Sequence, residues 1–110
     1  MSDEVVAVVT SCAPSDAAAL ASACVTERLA ACANIVQGVR SIYMWEGALC
    51  DESEDLVVLK TTRSRAPALR ARILELHPYD LPELLTLAPE HVHPAYGAWV
   101  GAEVASPQES

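Results

Sequence analysis

The sequence predicts an α+β fold whose elements follow the order β-α-β-β-α-β, with one further helix near the C-terminal end. Three observations predict it. The run from Val5 to Thr10 is short, apolar and β-branched, which is typical of a buried strand. After Ser15 and up to about Ala31, apolar residues recur every three or four positions, as in an amphipathic helix. Two more strand-like runs, Asn34 to Trp45 and Leu56 to Thr62, flank a turn signal at Glu46-Gly47.

The remaining elements are predicted from capping residues and prolines. Ser15 is expected to cap the first helix and Ser64 the second. The second helix should end at His77, because the residue before a proline avoids helical backbone angles. A strand from Glu83 to Ala88 and a weaker helix from Pro94 to Ala105 follow. This order is that of the ferredoxin-like fold, an antiparallel sheet with both main helices on one face.

The chain length fits one domain over residues 1–110, with 106–110 predicted as a loose tail. Apolar residues make up 52% of the chain, but there is no Phe, so the core of one subunit is thin. The sheet face without the two main helices would expose Val, Leu and Ile. We therefore expect association with further copies of the chain, which would bury that face.

The formal net charge of −8 disfavours binding to nucleic acid or to an anionic membrane, since both rest on Lys and Arg. The apolar run from Val5 to Val9 is far too short to span a bilayer. The start, Met1 to Glu4, is acidic where a signal peptide would be basic. Four cysteines without a CxxC pair are typical of reduced thiols. The sequence predicts a cytoplasmic protein.

The predicted topology gathers several polar residues at the end of the sheet where the first strand finishes. Right-handed β-α-β crossovers place there the acidic hairpin and the segment after the second helix. The residues are Cys12, the acids from Glu46 to Asp55, His77, Tyr79, Asp80 and Glu83. Thiolate and imidazole suit copper and zinc, and carboxylates suit harder ions. Taken one by one, these residues are more typical of a buried Cys, a helix terminator and a solvated turn.

Catalytic motifs are absent from the sequence. There is no GxSxG, HExxH, GxxxxGK[ST] or GxGxxG, which argues against the common hydrolase, zincin and nucleotide-binding classes. A dyad of Cys12 and His77 is geometrically conceivable, but the sequence shows no orienting third group for it. We expect a protein that is not an enzyme, and a Cys-dependent enzyme stays open as an alternative.

Several short segments occur in an order that is specific when taken together. They are Glu27 to Val36, Ser41-Ile42-Tyr43, Trp45-Glu46-Gly47, Leu59 to Thr62, His77-Pro78-Tyr79, Leu81-Pro82-Glu83, and Tyr96 with Trp99. With these segments the chain resembles the CutA divalent-cation tolerance proteins, from about Val5 to Ala105. The resemblance implies a ferredoxin-like subunit in a homotrimer, cytoplasmic location, a role in tolerance of copper and other divalent cations, and no catalytic activity.

The resemblance also implies candidate metal ligands. Copper-binding members carry a Cys directly before Thr-Ala-Pro and a His-His pair before Pro-Tyr. Here the first position is Ser11, with Cys12 next to it, and the His pair reads Leu76 and His77. Cys12 and His77 are therefore the candidates for weakly bound copper or another divalent cation. No organic cofactor is indicated.

The CutA family is in turn similar to the P-II signalling proteins, which bind small effectors in clefts between subunits. This similarity suggests an alternative function, a signalling or scaffold trimer that binds a small ligand or a partner protein. The residues expected to line such a cleft are Tyr43, Trp45, Glu46, Lys60, Tyr79 and Glu83.

Overall fold

The computed structural model describes residues 3–105. Its elements are β1 (Val5–Cys12), α1 (Pro14–Thr26), β2 (Cys32–Trp45), β3 (Ala48–Thr62), α2 (Ala66–Leu76), β4 (Leu84–Leu87) and α3 (Pro94–Val104). The four strands form one antiparallel sheet in the order β2-β3-β1-β4. The element order and the sheet confirm the predicted ferredoxin-like α+β fold. The predicted tail, 106–110, lies outside the described residues.

The main core lies between the sheet and the first two helices. Val6 and Val8 alternate along β1 toward this layer, since successive side chains of a strand point to opposite faces. They pack with Leu20 of α1 and with Leu69 and Ile73 of α2, and all five side chains are buried. This layer is the helical face that the sequence predicts.

The opposite sheet face is covered only at one end. There α3 packs Val100 and Val104 against Val5. Along β4, Leu85 and Leu87 pair with residues of β1 on this open face and are 51% and 53% exposed. The unpartnered apolar face predicted from the sequence is present in the subunit.

The first helix is shorter than predicted and ends at Thr26 instead of near Ala31. Arg28 takes a left-handed conformation, with φ of 60°, which stops the helix. The turn brings the carbonyl of Leu29 within 2.7 Å of the Thr61 hydroxyl, which donates to it. Pairing with β3 thus begins earlier than predicted, at Cys32 instead of Asn34.

The third strand begins at Ala48, well before the predicted Leu56. Its acidic residues were expected in a solvated hairpin, but they form strand pairs with β2 as far as Trp45. Arg40 stabilises the pairing, since its guanidinium donates to both carboxylate oxygens of Asp51 at 2.8 and 2.6 Å. The tip at Glu46-Gly47 is confirmed, because two residues with φ of 49° and 81° form the turn.

The helix caps differ from the predicted ones. Ala13 occupies the N-cap of α1 instead of Ser15, because the proline at the first helical position moves the start. Arg65 occupies the N-cap of α2, and Ser64 instead contacts the carboxylate of Asp3 through its amide and hydroxyl. The predicted end of α2 before His77 is confirmed.

The final strand and helix are each slightly shorter than predicted, at Leu84–Leu87 and Pro94–Val104. Among residues 3–105, no helix has the length and apolar content needed to cross a membrane.

Candidate functional site

An open groove of about 920 Å³ lies at the end of the sheet where β1 finishes. The long β2–β3 hairpin forms one wall, and the segment 78–83 after α2 forms the other. The lining residues are Ser11, Ser41, Ile42, Tyr43, Trp45, Cys50, Glu52, Glu54, Pro78, Tyr79, Asp80, Leu81, Pro82 and Glu83. The predicted gathering of polar residues at this end of the sheet is therefore observed.

His77 connects the segment 78–83 to strand β1 through two hydrogen bonds. Its Nε2 lies 2.8 Å from the carbonyl oxygen of Ser11, and its Nδ1 lies 3.2 Å from the backbone nitrogen of Tyr79. Because Tyr79 N–H must donate to Nδ1, the proton of the neutral ring is assigned to Nε2, which donates to Ser11. The ring is 7% exposed and both of its nitrogens are occupied.

Cys12 lies beneath the groove and does not open into it. The side chain is fully buried, and burial is the main cause that raises the pKa of its thiol, with Asp16, Asp55 and Glu54 adding to the effect. A thiolate ligand is thereby disfavoured, and His77 has no free nitrogen for a metal. Across residues 3–105, no group of three His, Cys, Asp or Glu side chains is arranged to hold an ion. Within the subunit, the candidate ligands Cys12 and His77 are thus a buried thiol and a ring whose two nitrogens both have hydrogen-bond partners.

Carboxylates are the charged groups that do line the groove. They are Glu52, Glu54, Asp80 and Glu83, and neither Lys nor Arg is among the lining residues. Glu54 is 6% exposed, and its Oε2 accepts a hydrogen bond of 2.9 Å from the Tyr79 hydroxyl. Burial, followed by this bond to Glu54, raises the pKa of the Tyr79 phenol to about 12. The phenol therefore remains a donor at neutral pH.

The cleft predicted from the sequence is partly assembled in the subunit. Tyr43, Trp45, Tyr79 and Glu83 line the groove together, whereas Glu46 sits in the turn and is not among the lining residues. Lys60 lies elsewhere, because it pairs with Cys32 toward the other end of the long β3. It lines a second pocket with His91, His93 and Tyr96.

Glu52 and Glu54 are predicted from the sequence at this end of the sheet as part of the acidic hairpin, but not as lining residues of the cleft. A solvated turn is the expectation for them, whereas both belong to β3. The alternation of Cys50, Glu52 and Glu54 along one strand face is the signal that would have found them, since residues two apart share a face.

Cys32 and Arg63 lie at the opposite end of the sheet. The Cys32 sulfur is 3.5 Å from the Tyr96 hydroxyl, and Arg63 bonds to Glu4 at 2.8 Å. The four cysteines are free thiols.

Comparison with known proteins shows which family shares this architecture. The family model of the CutA1 divalent ion tolerance protein matches residues 5–103. The divalent-cation tolerance protein CutA of Thermus thermophilus is 43% identical over 81 residues, which are 74% of this chain and 79% of that protein.

Solved structures agree with the sequence match. CutA1 from Ehrlichia chaffeensis superposes with a TM-score of 0.90 at 28% identity, over 94% of this chain and 98% of that one. The PII-like protein CutA from Nostoc sp. PCC 7120 superposes with a TM-score of 0.87 at 31% identity, over 91% and 97% of the two chains. Because the family model matches residues 5–103 and the structures superpose over nearly the whole chain, the chain belongs to the CutA1 divalent ion tolerance protein family.

Proposed function

We propose that this chain forms a homotrimer that acts in divalent-cation tolerance without catalysing a reaction, and that divalent ions associate weakly with the carboxylates of the groove. The observation that supports this is the composition of the groove, which carries Glu52, Glu54, Asp80 and Glu83 and no cationic side chain. A concave surface lined by charges of one sign concentrates counter-ions. Copper is included among these ions as the family resemblance implies.

The donor set favours oxygen ligation over thiolate and imidazole. Carboxylates bind hard and borderline divalent ions, whereas the Cys12 thiol is buried and His77 already donates and accepts hydrogen bonds. Because no three ligands converge among residues 3–105, we expect millimolar association and not a tight structural site.

A role without catalysis is supported by the burial of Cys12 and by the hydrogen bonds of His77. A nucleophilic Cys needs a lowered thiol pKa and an adjacent base. Here burial raises the pKa of Cys12, and the His77 nitrogen that could take a proton accepts the amide of Tyr79. We place the protein in the cytoplasm, where free thiols such as these four persist.

Metal titration by calorimetry tests the proposal. Wild type should bind Cu²⁺ or Zn²⁺ in the millimolar range, and Glu52→Gln with Glu54→Gln should weaken binding by about tenfold, because two charges are removed from the groove. Glu75→Gln with Glu90→Gln removes the same charge from exposed positions outside the groove and should leave binding close to wild type.

Cys12→Ser should also leave metal binding unchanged, since the thiol is buried. The proposal fails if neither ion binds at millimolar concentration, or if the two double variants weaken binding equally. Loss of binding in Cys12→Ser would assign the metal to the thiol and overturn the carboxylate site.

A second candidate function is a P-II-like cleft for a small ligand or partner protein. It is favoured by three aromatic side chains, Tyr43, Trp45 and Tyr79, which line the same groove and are between one third and one half exposed. Aromatic faces beside carboxylates suit a neutral or cationic group more than a nucleotide. A thermal-shift screen of amines, amino acids and nucleotides tests this candidate, and no shift across the panel would count against it.

A further inference from the structure

A second, smaller pocket lies beside α3, at the end of the sheet that α3 covers and away from the groove. Its volume is about 330 Å³. The start of β1, the end of β3 and the segment before α3 enclose it. Five aliphatic residues form its walls, Val5, Val6, Ala7, Pro89 and Val92. Nothing in the proposed cation role uses this pocket.

The polar residues that line this pocket all carry hydrogen-bond donors. They are Lys60, His91, His93 and Tyr96, and no Asp or Glu is among the lining residues. The absence of acids here is informative, because the chain has 15 acidic residues and only 7 basic ones. In a chain with this excess of carboxylates, a pocket lined by a lysine and by no carboxylate has the opposite charge to the groove.

Lys60 supplies the positive charge, and it is the one lysine of the sequence. The ammonium group contacts two neutral oxygens, the side-chain oxygen of Asn34 and the carbonyl of Val58. The described arginines that form ion pairs are Arg28, Arg40, Arg63 and Arg72, and no carboxylate of residues 3–105 pairs with Lys60. An anionic ligand would stabilise a half-buried ammonium group that has no anion nearby.

Tyr96 and the start of α3 add to the donor set. The Tyr96 hydroxyl lies 3.5 Å from the Cys32 sulfur, which is a weak partner, so the hydroxyl can reorient toward a stronger acceptor. Burial, followed by the contact with Cys32, raises the pKa of Tyr96 to about 12, which keeps the phenol protonated. His93 is the N-cap of the 11-residue helix α3, whose N-terminus carries a partial positive charge.

From these observations we propose that the pocket beside α3 binds a small organic carboxylate, with its anionic group at Lys60 and Tyr96 and its apolar part against the walls of β1 and Val92. The volume is at the lower end of the range for small-molecule sites, which fits a body of a few carbon atoms. The aliphatic walls favour such a body over a fully hydrated inorganic anion.

Sodium butyrate is the probe, and butanol is its uncharged counterpart. Both are titrated into the intact, isotope-labelled protein while the amide resonances of Val92 and Tyr96 are followed. Butyrate should shift these resonances with millimolar affinity, and butanol should bind at least about tenfold more weakly, because a charge-assisted hydrogen bond is lost.

Variants assign the response to Lys60. Lys60→Met should weaken butyrate binding by about tenfold, whereas Lys60→Arg should keep most of it. Arg70→Met is the matched control, because it removes one positive charge from a partly exposed position of α2 outside the pocket. It should bind butyrate like wild type.

Three results would overturn the proposal. They are no shift at these amides, equal binding of butyrate and butanol, and unchanged butyrate binding in a folded Lys60→Met variant. A neighbouring subunit that filled the pocket would give the first of these results. If Lys60→Met does not fold, the comparison of butyrate with butanol on wild type decides.

Discussion

At the scale of single residues, Tyr79 and Glu54 form the pair that shapes the groove. A carboxylate that is 6% exposed is costly unless hydrogen-bonded, and the Tyr79 hydroxyl supplies a bond of 2.9 Å. Removing the hydroxyl in Tyr79→Phe should destabilise the fold by about 2 kcal/mol, the contribution of a hydrogen bond to a charged group. The bond also links the segment after α2 to β3.

The same phenol predicts how stability depends on pH. The pKa of the Tyr79 phenol is 10.0 in the unfolded state and about 12 in the folded state. Between these pH values the folded state therefore holds a proton that the unfolded state has lost. Stability is therefore fully present below pH 10.0 and falls as pH rises toward about 12. Urea unfolding on both sides of this window, in wild type and Tyr79→Phe, measures the loss.

Tyr79→Phe should show a shallower loss of stability across this window than wild type. Tyr96→Phe is the matched comparison, since the pKa of Tyr96 is also raised to about 12. An identical slope in wild type and Tyr79→Phe would contradict a raised pKa of the Tyr79 phenol in the folded state.

At the scale of elements, the β2–β3 hairpin depends on a two-residue turn. Both turn residues, Glu46 and Gly47, have positive φ, as the hairpin twist requires. Glycine accepts this conformation freely, but a side chain such as Glu46 is strained in it. The hairpin forms despite this unfavourable residue, because β2 and β3 pair continuously from the turn onward, beginning with Trp45 and Ala48.

Replacing Glu46 by Asn should relieve this strain, because Asn is favoured at the first position of such turns. We expect Glu46→Asn to raise the free energy of unfolding by roughly 0.5 to 1 kcal/mol, measured by urea denaturation. Glu90→Asn makes the same chemical change in an exposed loop and controls for the lost charge. Equal stabilisation by both variants would attribute the effect to charge and not to the turn.

At the scale of the whole molecule, apolar exposure is concentrated on the open sheet face and the hairpin. Leu85 and Leu87 lie on that face, while Ile42 and Met44 are 61% and 64% exposed on β2. The principal extents of 48 × 27 × 21 Å describe an elongated subunit with a small core. Burial of this surface between copies supports the proposed trimer.

Light scattering coupled to size exclusion tests the assembly. Wild type should elute as a particle of three chains, each of 11.7 kDa. Leu85→Glu with Leu87→Glu should dissociate it, because charged side chains are not tolerated in an apolar interface. Leu74→Glu changes a side chain of α2 that is 53% exposed on the helical layer, and this control should remain associated. A monomeric wild type would contradict the proposal.

Much of the fold is predictable because its signals are local. The β-branched run of β1, the turn at Glu46-Gly47 and the proline after His77 each act within a few residues. The predicted end of α1 was wrong because Arg28 adopts a left-handed conformation that neighbouring residues in the sequence do not predict. Its turn is stabilised from a distance, by the hydroxyl of Thr61.

The site was less predictable than the fold, since it depends on register over long strands. The sequence by itself determined the element order, the apolar faces and the end of the sheet where Tyr79 and Glu83 meet the hairpin. Only the tertiary structure decided that Glu54 enters the groove, that Cys12 and His77 are already occupied by burial and hydrogen bonds, and that Lys60 belongs to a different pocket. The physical reason is that strand pairing sets these positions through contacts between residues far apart in the chain, which local preferences do not encode.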